Sequence, residues 1–326
     1  MKKLTLPSLQ QIQQASERIR PYVLSLPLVP LNADHAPQST FLQLENLQLV
    51  GSYKLRGAAN AILQTDPAVL ARGVATVSAG NLGQGIAWMA KKLGFPCLIL
   101  VPDHAPAAKI SALKRYGAEV KTVNLNTWWS IMVSGILPDF DGLFIHGVFN
   151  PQVMAGHGTI GLEIVQQNPA IESVIIPFGG GAMTCGIAAA VKAFNPDIRV
   201  FTCEVDTAAP LHAALQHGEP TEIDYQPSFV DGIGSRKVFP EMWPMLQQVV
   251  TDSLLVTLDQ VRDAIRLLVN RHHVIAEGAG AAALAAALNA SIELGSTACV
   301  ISGGHIDLQI LSNILATPAG KGSRFE

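Results

Sequence analysis

The sequence predicts a two-lobed α/β protein built on parallel sheets with helices on both faces. Three observations predict it. Short apolar runs of strand length alternate with alanine-rich stretches of helix length along most of the chain. Glycine-rich loops follow several of those runs and open the next helix. A chain of 326 residues is long for one simple domain and comfortable for two lobes sharing an interface. Only 14% of residues are charged while 49% are hydrophobic, which excludes a disordered or solvating chain.

In chain order, a helix is expected over about residues 7 to 20. Then "GVATVSA" reads as a strand, "NLGQGIAWMAKKLG" as a helix, "FPCLILVP" as a strand, "APAAKISALKRYG" as a helix and "AEVKTVN" as a strand. The segment "NTWWSIMVSGIL", 126 to 137, places Trp and Met at helical spacing and reads as a helix packed between the lobes. Further on, "IESVIIPF" is a strand, "MTCGIAAAVKAFN" a helix, and "IRVFTCEV" and "ACVISGG" are strands. The pair His272 and His273 reads as a surface feature before a strand at "VIAEGAG". The compact βαβαβ group predicts a small mobile domain over 73–148, with 1–72 and 149–326 forming the large domain.

The net charge of −3 comes without a long basic run, so neither a nucleic-acid footprint nor an anionic-membrane patch is expected. No stretch reaches the roughly 18 apolar residues of a membrane span. The polar N-terminal segment lacks the apolar core of a secretory signal, and the expected location is cytoplasmic. Cys97, Cys185, Cys203 and Cys299 stand singly, as reduced core residues do, and none belongs to a zinc-type cluster.

Ligands of such folds bind beyond the carboxyl ends of the strands, so the loops there are where chemistry is expected. In "PFGGGAMTCGIA", 177 to 188, consecutive glycines open a helix, so backbone N–H groups and the helix dipole can converge on a phosphate; the alternative is a turn that only permits tight packing. In "SAGNLGQGIA", 78 to 87, Asn81 offers a side-chain amide among small residues. In "ISGGHID", 301 to 307, Ser302 offers a hydroxyl that can bond a ring nitrogen without imposing a charge. Finally "LENLQLVGSYKLRGAANAI", 44 to 62, sets Lys54 at a helix start, whose dipole disfavours an ammonium; it is either a solvated charge or a carbonyl-directed nucleophile. One lysine and one phosphate cradle together suit pyridoxal 5′-phosphate.

These segments, in this order, resemble those of the fold type II pyridoxal-phosphate enzymes, tryptophan synthase β-like in fold, and among them the threonine/serine dehydratase and serine racemase family. "AGHGTIGLEI" and "EGAGAAALAAAL" extend the resemblance over about residues 20 to 310. It implies that Lys54 carries the cofactor as an internal aldimine and shuttles the Cα proton. It implies further that Asn81 contacts the cofactor's O3′, that Gly179, Gly180, Gly181, Ala182 and Met183 hold the phosphate, and that Ser302 faces the pyridine nitrogen. Ser78, Ala79, Gly80 and Asn81 would bind the substrate. The activity implied is β-elimination from a β-hydroxy amino acid such as L-threonine or L-serine, in a homodimer; β-replacement, racemisation and a non-catalytic homologue are the alternatives.

Several positions depart from the family's pattern. Ala79 stands where the racemases carry a second serine, which disfavours racemisation, and Leu82 replaces a histidine. Ala182 replaces a glycine, "HGVFNP" (146 to 151) lacks the family's acids, and His157 replaces a glutamine. Glu204 follows the pattern of metal-binding members, but the later acid is Pro210, so no metal is expected.

Overall fold

The computed structural model describes residues 4–34 and 39–317. Helix α1 (Leu9–Ile19) opens on a capping box, in which Gln11 N donates to Ser8 Oγ and Ser8 N donates to Gln11 Oε1. Strands β1 (Leu28–Pro30) and β2 (Thr40–Gln43) follow, then α2 (Lys54–Leu63) and the short α3 (Pro67–Leu70). The next stretch alternates β3 (Val74–Val77), α4 (Asn81–Leu93), β4 (Cys97–Pro102), α5 (Ala107–Arg115), β5 (Glu119–Val123), α6 (Leu125–Ser134) and β6 (Leu143–Phe144). The remainder runs through α7 (Pro151–Gln167), β7 (Ser173–Pro177), α8 (Ala182–Phe194), β8 (Arg199–Val205), α9 (Pro210–His217), α10 (Trp243–Val249) and β9 (Asp252–Val256). It closes with α11 (Leu258–His272), α12 (Gly278–Asn289), β10 (Thr297–Val300) and α13 (Leu308–Ala316).

Among the described residues the strands form two sheets, giving a two-lobed α/β molecule. A six-stranded sheet has the order β1-β2-β10-β7-β8-β9, parallel except for β1 against β2. A four-stranded sheet has the order β5-β4-β3-β6 and is parallel throughout. Strands β3, β7 and β10 are buried along their whole length, which is why they read as unbroken apolar runs. Neighbouring β7 and β10 pair Ile175 with Cys299, so the loops that follow them emerge side by side at one edge.

Small residues bring three helices into close contact beside that edge. A Cβ at Gly156 of α7 would fall 2.5 Å from the Arg56 carbonyl of α2, and one at Gly186 of α8 would fall 2.3 Å from the Met154 carbonyl of α7. The stack α2–α7–α8 therefore tolerates no side chain at these points. Arg56, fully buried, ties it further: its Nε and Nη2 donate to Glu45 at 2.7 and 2.8 Å, and Nη1 and Nη2 donate to Glu163 at 2.7 and 2.8 Å. A third partner is Thr159 Oγ1 at 3.1 Å. A planar fork of donors satisfied by two carboxylates is the geometry in which arginine can be buried.

Two expectations about elements are corrected. Helix α6 does not pack between the lobes: Ile131, Trp128 and Met132 rest on the four-stranded sheet with Val77 and Leu100, while Trp129 is 51% exposed. The segment "VIAEGAG" is not a strand. Its first residues connect α11 to α12, and its apolar character reflects burial of Ala276 and Gly278 rather than ladder pairing. His273 ends α11 in the left-handed region at φ 57°, and His272 Nε2 accepts from the backbone N–H of Asn32. All four cysteines are buried and unpaired; burial pushes the Cys185 thiol up to about 12, so it serves packing.

Candidate active site

A cleft is lined by Tyr53, Lys54, Gly147, Val148 and the loop from Gly179 to Thr184. It brings together the lysine and the glycine loop singled out in the sequence, which lie far apart along the chain. Lys54 is the first residue of α2, its backbone N–H reaching Ser52 Oγ at 3.2 Å and its Nζ standing 4.7 Å from the Tyr53 ring centroid. The approach to α2 is pinned from across the sheet edge. Tyr53 N donates to the Ser302 carbonyl at 3.1 Å, and Ser52 bridges Gly303. Ser302 is thereby buried next to the lysine's own segment.

The glycine loop has the shape of a cradle. Gly181 caps α8 at φ 93°, a conformation that disfavours any side chain, and a Cβ at Gly180 would fall 2.3 Å from Val148 Cγ2. No side-chain cap satisfies the first N–H groups of α8. Helix α4 opens in the same way, with Gly80 as an N-cap that supplies no side chain and with Ser78 to Asn81 only half-buried. By contrast Asn150 caps α7 through Gln152 and Val153, as side chains ordinarily do. Two uncapped helix ends leave backbone donors for anionic groups.

Asn81 is held at both ends of its amide. Its Nδ2 donates to Glu277 Oε1 at 2.8 Å, and its Oδ1 accepts from His305 Nδ1 at 2.6 Å. Burial, and then the charge of Asp231, pushes the Glu277 carboxyl up to about 7. Sequence reasoning assigned no role to Glu277 or His305. Both lie within quoted segments, and the only available signal was a titratable residue beside consecutive glycines.

The departures from the family's pattern also find places. His157 is fully buried on α7 with neither ring nitrogen hydrogen-bonded, its centroid 4.7 Å from that of Tyr53. Burial, reinforced by the charges of Lys54 and Arg56, pushes its pKa well below 6.5, so the imidazole is neutral. Leu82 is 6% exposed and lies against Gly147, where a Cβ would approach its Cδ2 to 2.8 Å. In the segment from 146 to 151, His146 Nδ1 accepts from Val148 N and Phe149 N while Nε2 donates to the Met132 carbonyl. Val148 thus faces the cleft in a turn fixed by an imidazole rather than by acids. The Glu204 carboxylate accepts from Leu211 N, His212 N and Ser253 Oγ, and Pro210 begins α9.

The cradle that excludes a Cβ, the uncapped α8 and a lysine opening on the same cleft fit a cofactor that carries both a phosphate and an aldehyde. Fold and site together define a fold type II pyridoxal-phosphate enzyme. The family model described as "Pyridoxal-phosphate dependent enzyme" matches residues 19–303, and the chain belongs to that family. It is 35% identical over 311 residues to the L-threonine ammonia-lyase of Geobacter sulfurreducens, covering 93% of this chain and 77% of that one. Among solved structures, maize serine racemase superposes with a TM-score of 0.85 at 28% identity, covering 95% of this chain and 97% of that one. The serine racemase of Dictyostelium discoideum superposes with a TM-score of 0.82 at 31% identity, covering 92% and 99%.

Proposed function

We propose that this protein is a pyridoxal-phosphate-dependent ammonia-lyase that converts a β-hydroxy amino acid, L-threonine or L-serine in the simplest case, to a 2-oxo acid and ammonia. The observation that carries the reading is the shared cleft of Lys54 and the glycine loop, in a chain similar to L-threonine ammonia-lyases. When bound, the cofactor supplies an electron sink at Cα. Backbone N–H groups of residues 179 to 183 would hold its phosphate, and the Ser302 hydroxyl would serve its ring nitrogen without supplying a charge. The loop of Ser78, Ala79, Gly80 and Asn81 orients the substrate carboxylate at the start of α4. Lys54 Nζ takes the Cα proton, and loss of the β-hydroxyl as water leaves an enamine that water hydrolyses to the 2-oxo acid and ammonia. Ala79 carries no donor for the opposite face of Cα, which favours elimination over racemisation.

Residues 73–148 form, in this proposal, a small domain that moves over the site. Hydrogen bonds from the Asn81 amide to Glu277 and from Lys109 Nζ to Asp231 Oδ2 at 2.7 Å tie it to the rest, and α4 shares a buried apolar cluster with α2 through Ile86 and Ala90 beside Leu55 and Ala58. A homodimer is supported by exposed Leu24, Leu47, Leu49 and Ile275, linked through the hydrogen bonds of Gln48 with Leu24 and of Asn46 with Ile275. A cytoplasmic setting is supported by the four unpaired cysteines.

The test is to incubate the purified holoenzyme with L- and D-forms of serine and threonine and to assay 2-oxo acid and ammonia. Equal yields of both products from an L-substrate are expected. Formation of the D-amino acid would replace the reading with a racemase, and a spectral change without product would replace it with a binding protein.

A further inference from the structure

The Asn81 amide has two chemically different ends, and each meets its complement. The carboxylate Glu277 can only accept when ionised, and it takes one Nδ2 hydrogen at 2.8 Å. The carbonyl end accepts from His305 Nδ1 at 2.6 Å, which fixes that imidazole as the Nδ1–H tautomer. Turning the amide over would set its oxygen against the ionised Glu277 oxygen and would require His305 to change to the Nε2–H tautomer. Both partners are themselves held. The His305 ring lies over Gly51, where a Cβ would approach Cε1 to 3.1 Å, and Glu277 N donates to the Gly303 carbonyl at 2.9 Å. Glu277 uses one of the two Nδ2 hydrogens, leaving the other for a ligand.

We propose that His305 is a positioning residue: with Glu277 it fixes the Asn81 carboxamide so that an N–H, not the carbonyl, is presented to the phenolic oxygen of pyridoxal phosphate. This rests on the proposed placement of the cofactor beside Asn81. A donated hydrogen bond stabilises the ionised form of that oxygen, which absorbs at longer wavelength than the neutral form. Held by Glu277 alone, the amide can turn more readily, and its carbonyl then repels the same charge. His305 therefore acts on the cofactor's protonation state without touching it, and it does so from an exposed position whose loss opens no core.

The experiment is the absorbance spectrum of the holoenzyme variants, together with the affinity of each apoprotein for pyridoxal phosphate and its unfolding midpoint. His305→Ala should lower the ratio of long- to short-wavelength absorbance by up to roughly fivefold, the worth of one net hydrogen bond, with the unfolding midpoint of the apoprotein unchanged. His305→Asn keeps a donor and should restore the ratio, whereas His305→Leu keeps bulk and should not. Asn81→Ala should lower the ratio alone, and adding His305→Ala to it should change nothing further. If Asn81→Ala alters the spectrum while His305→Ala leaves it as in the wild type, the positioning role is refuted and the site stands. If Asn81→Ala also leaves the spectrum unaltered, the cofactor is not beside Asn81 and both readings fall. Equal spectra for His305→Asn and His305→Leu would likewise overturn the proposal, because a donor would then be irrelevant.

Discussion

Replacing Arg56 by methionine should be one of the most destabilising single changes available in this chain, and the structure says how large the effect is. Methionine matches the length of the arginine stem but carries no donors, so the substitution removes the hydrogen bonds to Glu45, Glu163 and Thr159. Glu45 is fully buried and Glu163 nearly so; both keep their positions on the 3₁₀ turn at Glu45–Leu47 and on α7. Breaking a buried ion pair by removing one partner costs about 3–5 kcal/mol, chiefly because the remaining charge is stranded. Here two carboxylates are stranded and can relieve the strain by taking up a proton, which keeps the total near the top of that range. Burial already raises the Glu163 pKa and Arg56 opposes that rise, so the variant's Glu163 carboxyl must titrate higher still. Its folded pKa then lies further above the unfolded one, and the penalty shrinks as pH falls and grows as it rises toward 8. Urea unfolding of the apoprotein, followed by tryptophan fluorescence at pH 5.5 and pH 8, measures both quantities. Arg56→Met combined with Glu45→Gln and Glu163→Gln should recover part of the loss at pH 8. A loss below about 1 kcal/mol at pH 8, or one independent of pH, would refute the argument that stranded charge is the cost.

Three further outcomes are expected. Lys54→Ala should abolish both turnover and the cofactor absorbance at about 415 nm; an undiminished rate would remove Lys54 from the chemistry. Gly180→Ala should weaken pyridoxal phosphate binding by roughly 10- to 100-fold, because its Cβ would collide with Val148 and displace backbone donors worth about 1.5–3 kcal/mol each to a charged group; cofactor titration of the apoprotein measures it. Burial raises the Glu204 carboxyl to about 7, so the folded state holds its proton more tightly than the unfolded state, and the stability this group contributes is lost as pH rises from about 4.5 to 7. Glu204→Gln should abolish a loss of up to ~3 kcal/mol between pH 5 and pH 8 in the wild type; parallel pH profiles for the two proteins would show that its three donors keep Glu204 ionised.

The parallel strands and the alanine-rich helices were legible because burial on both faces writes unbroken apolar runs, and helices that pack closely write small residues at their contacts. Lys54, the glycine loop and Ser302 were legible because each sits at the end of such an element, where chemistry needs a residue type that packing does not. The pairing of Asn81 with Glu277 and His305 was not, since the partners lie 196 and 224 positions away and no local pattern links them. Helix α6 misled because Trp and Met were taken as signs of a covered face, whereas Trp129 lies largely in solvent. The run at 274–280 misled because a connection that buries Ala276 and Gly278 has the same composition as a short strand.

The order of the six-stranded sheet constrains how the molecule can be made. Strand β10, nearly the last element of the fold, lies between β2 and β7 and is the sole parallel neighbour of β2. On a ribosome, β7 and β8 can pair as soon as they emerge, but β1 and β2 must wait for roughly 250 further residues before the strand that joins them to the sheet is synthesised. The Ser52–Gly303 bridge that seats Lys54 forms only then. The nascent chain therefore has no assembled site until β10 is made, and it acquires the competence to bind its cofactor in a step of long loop closure.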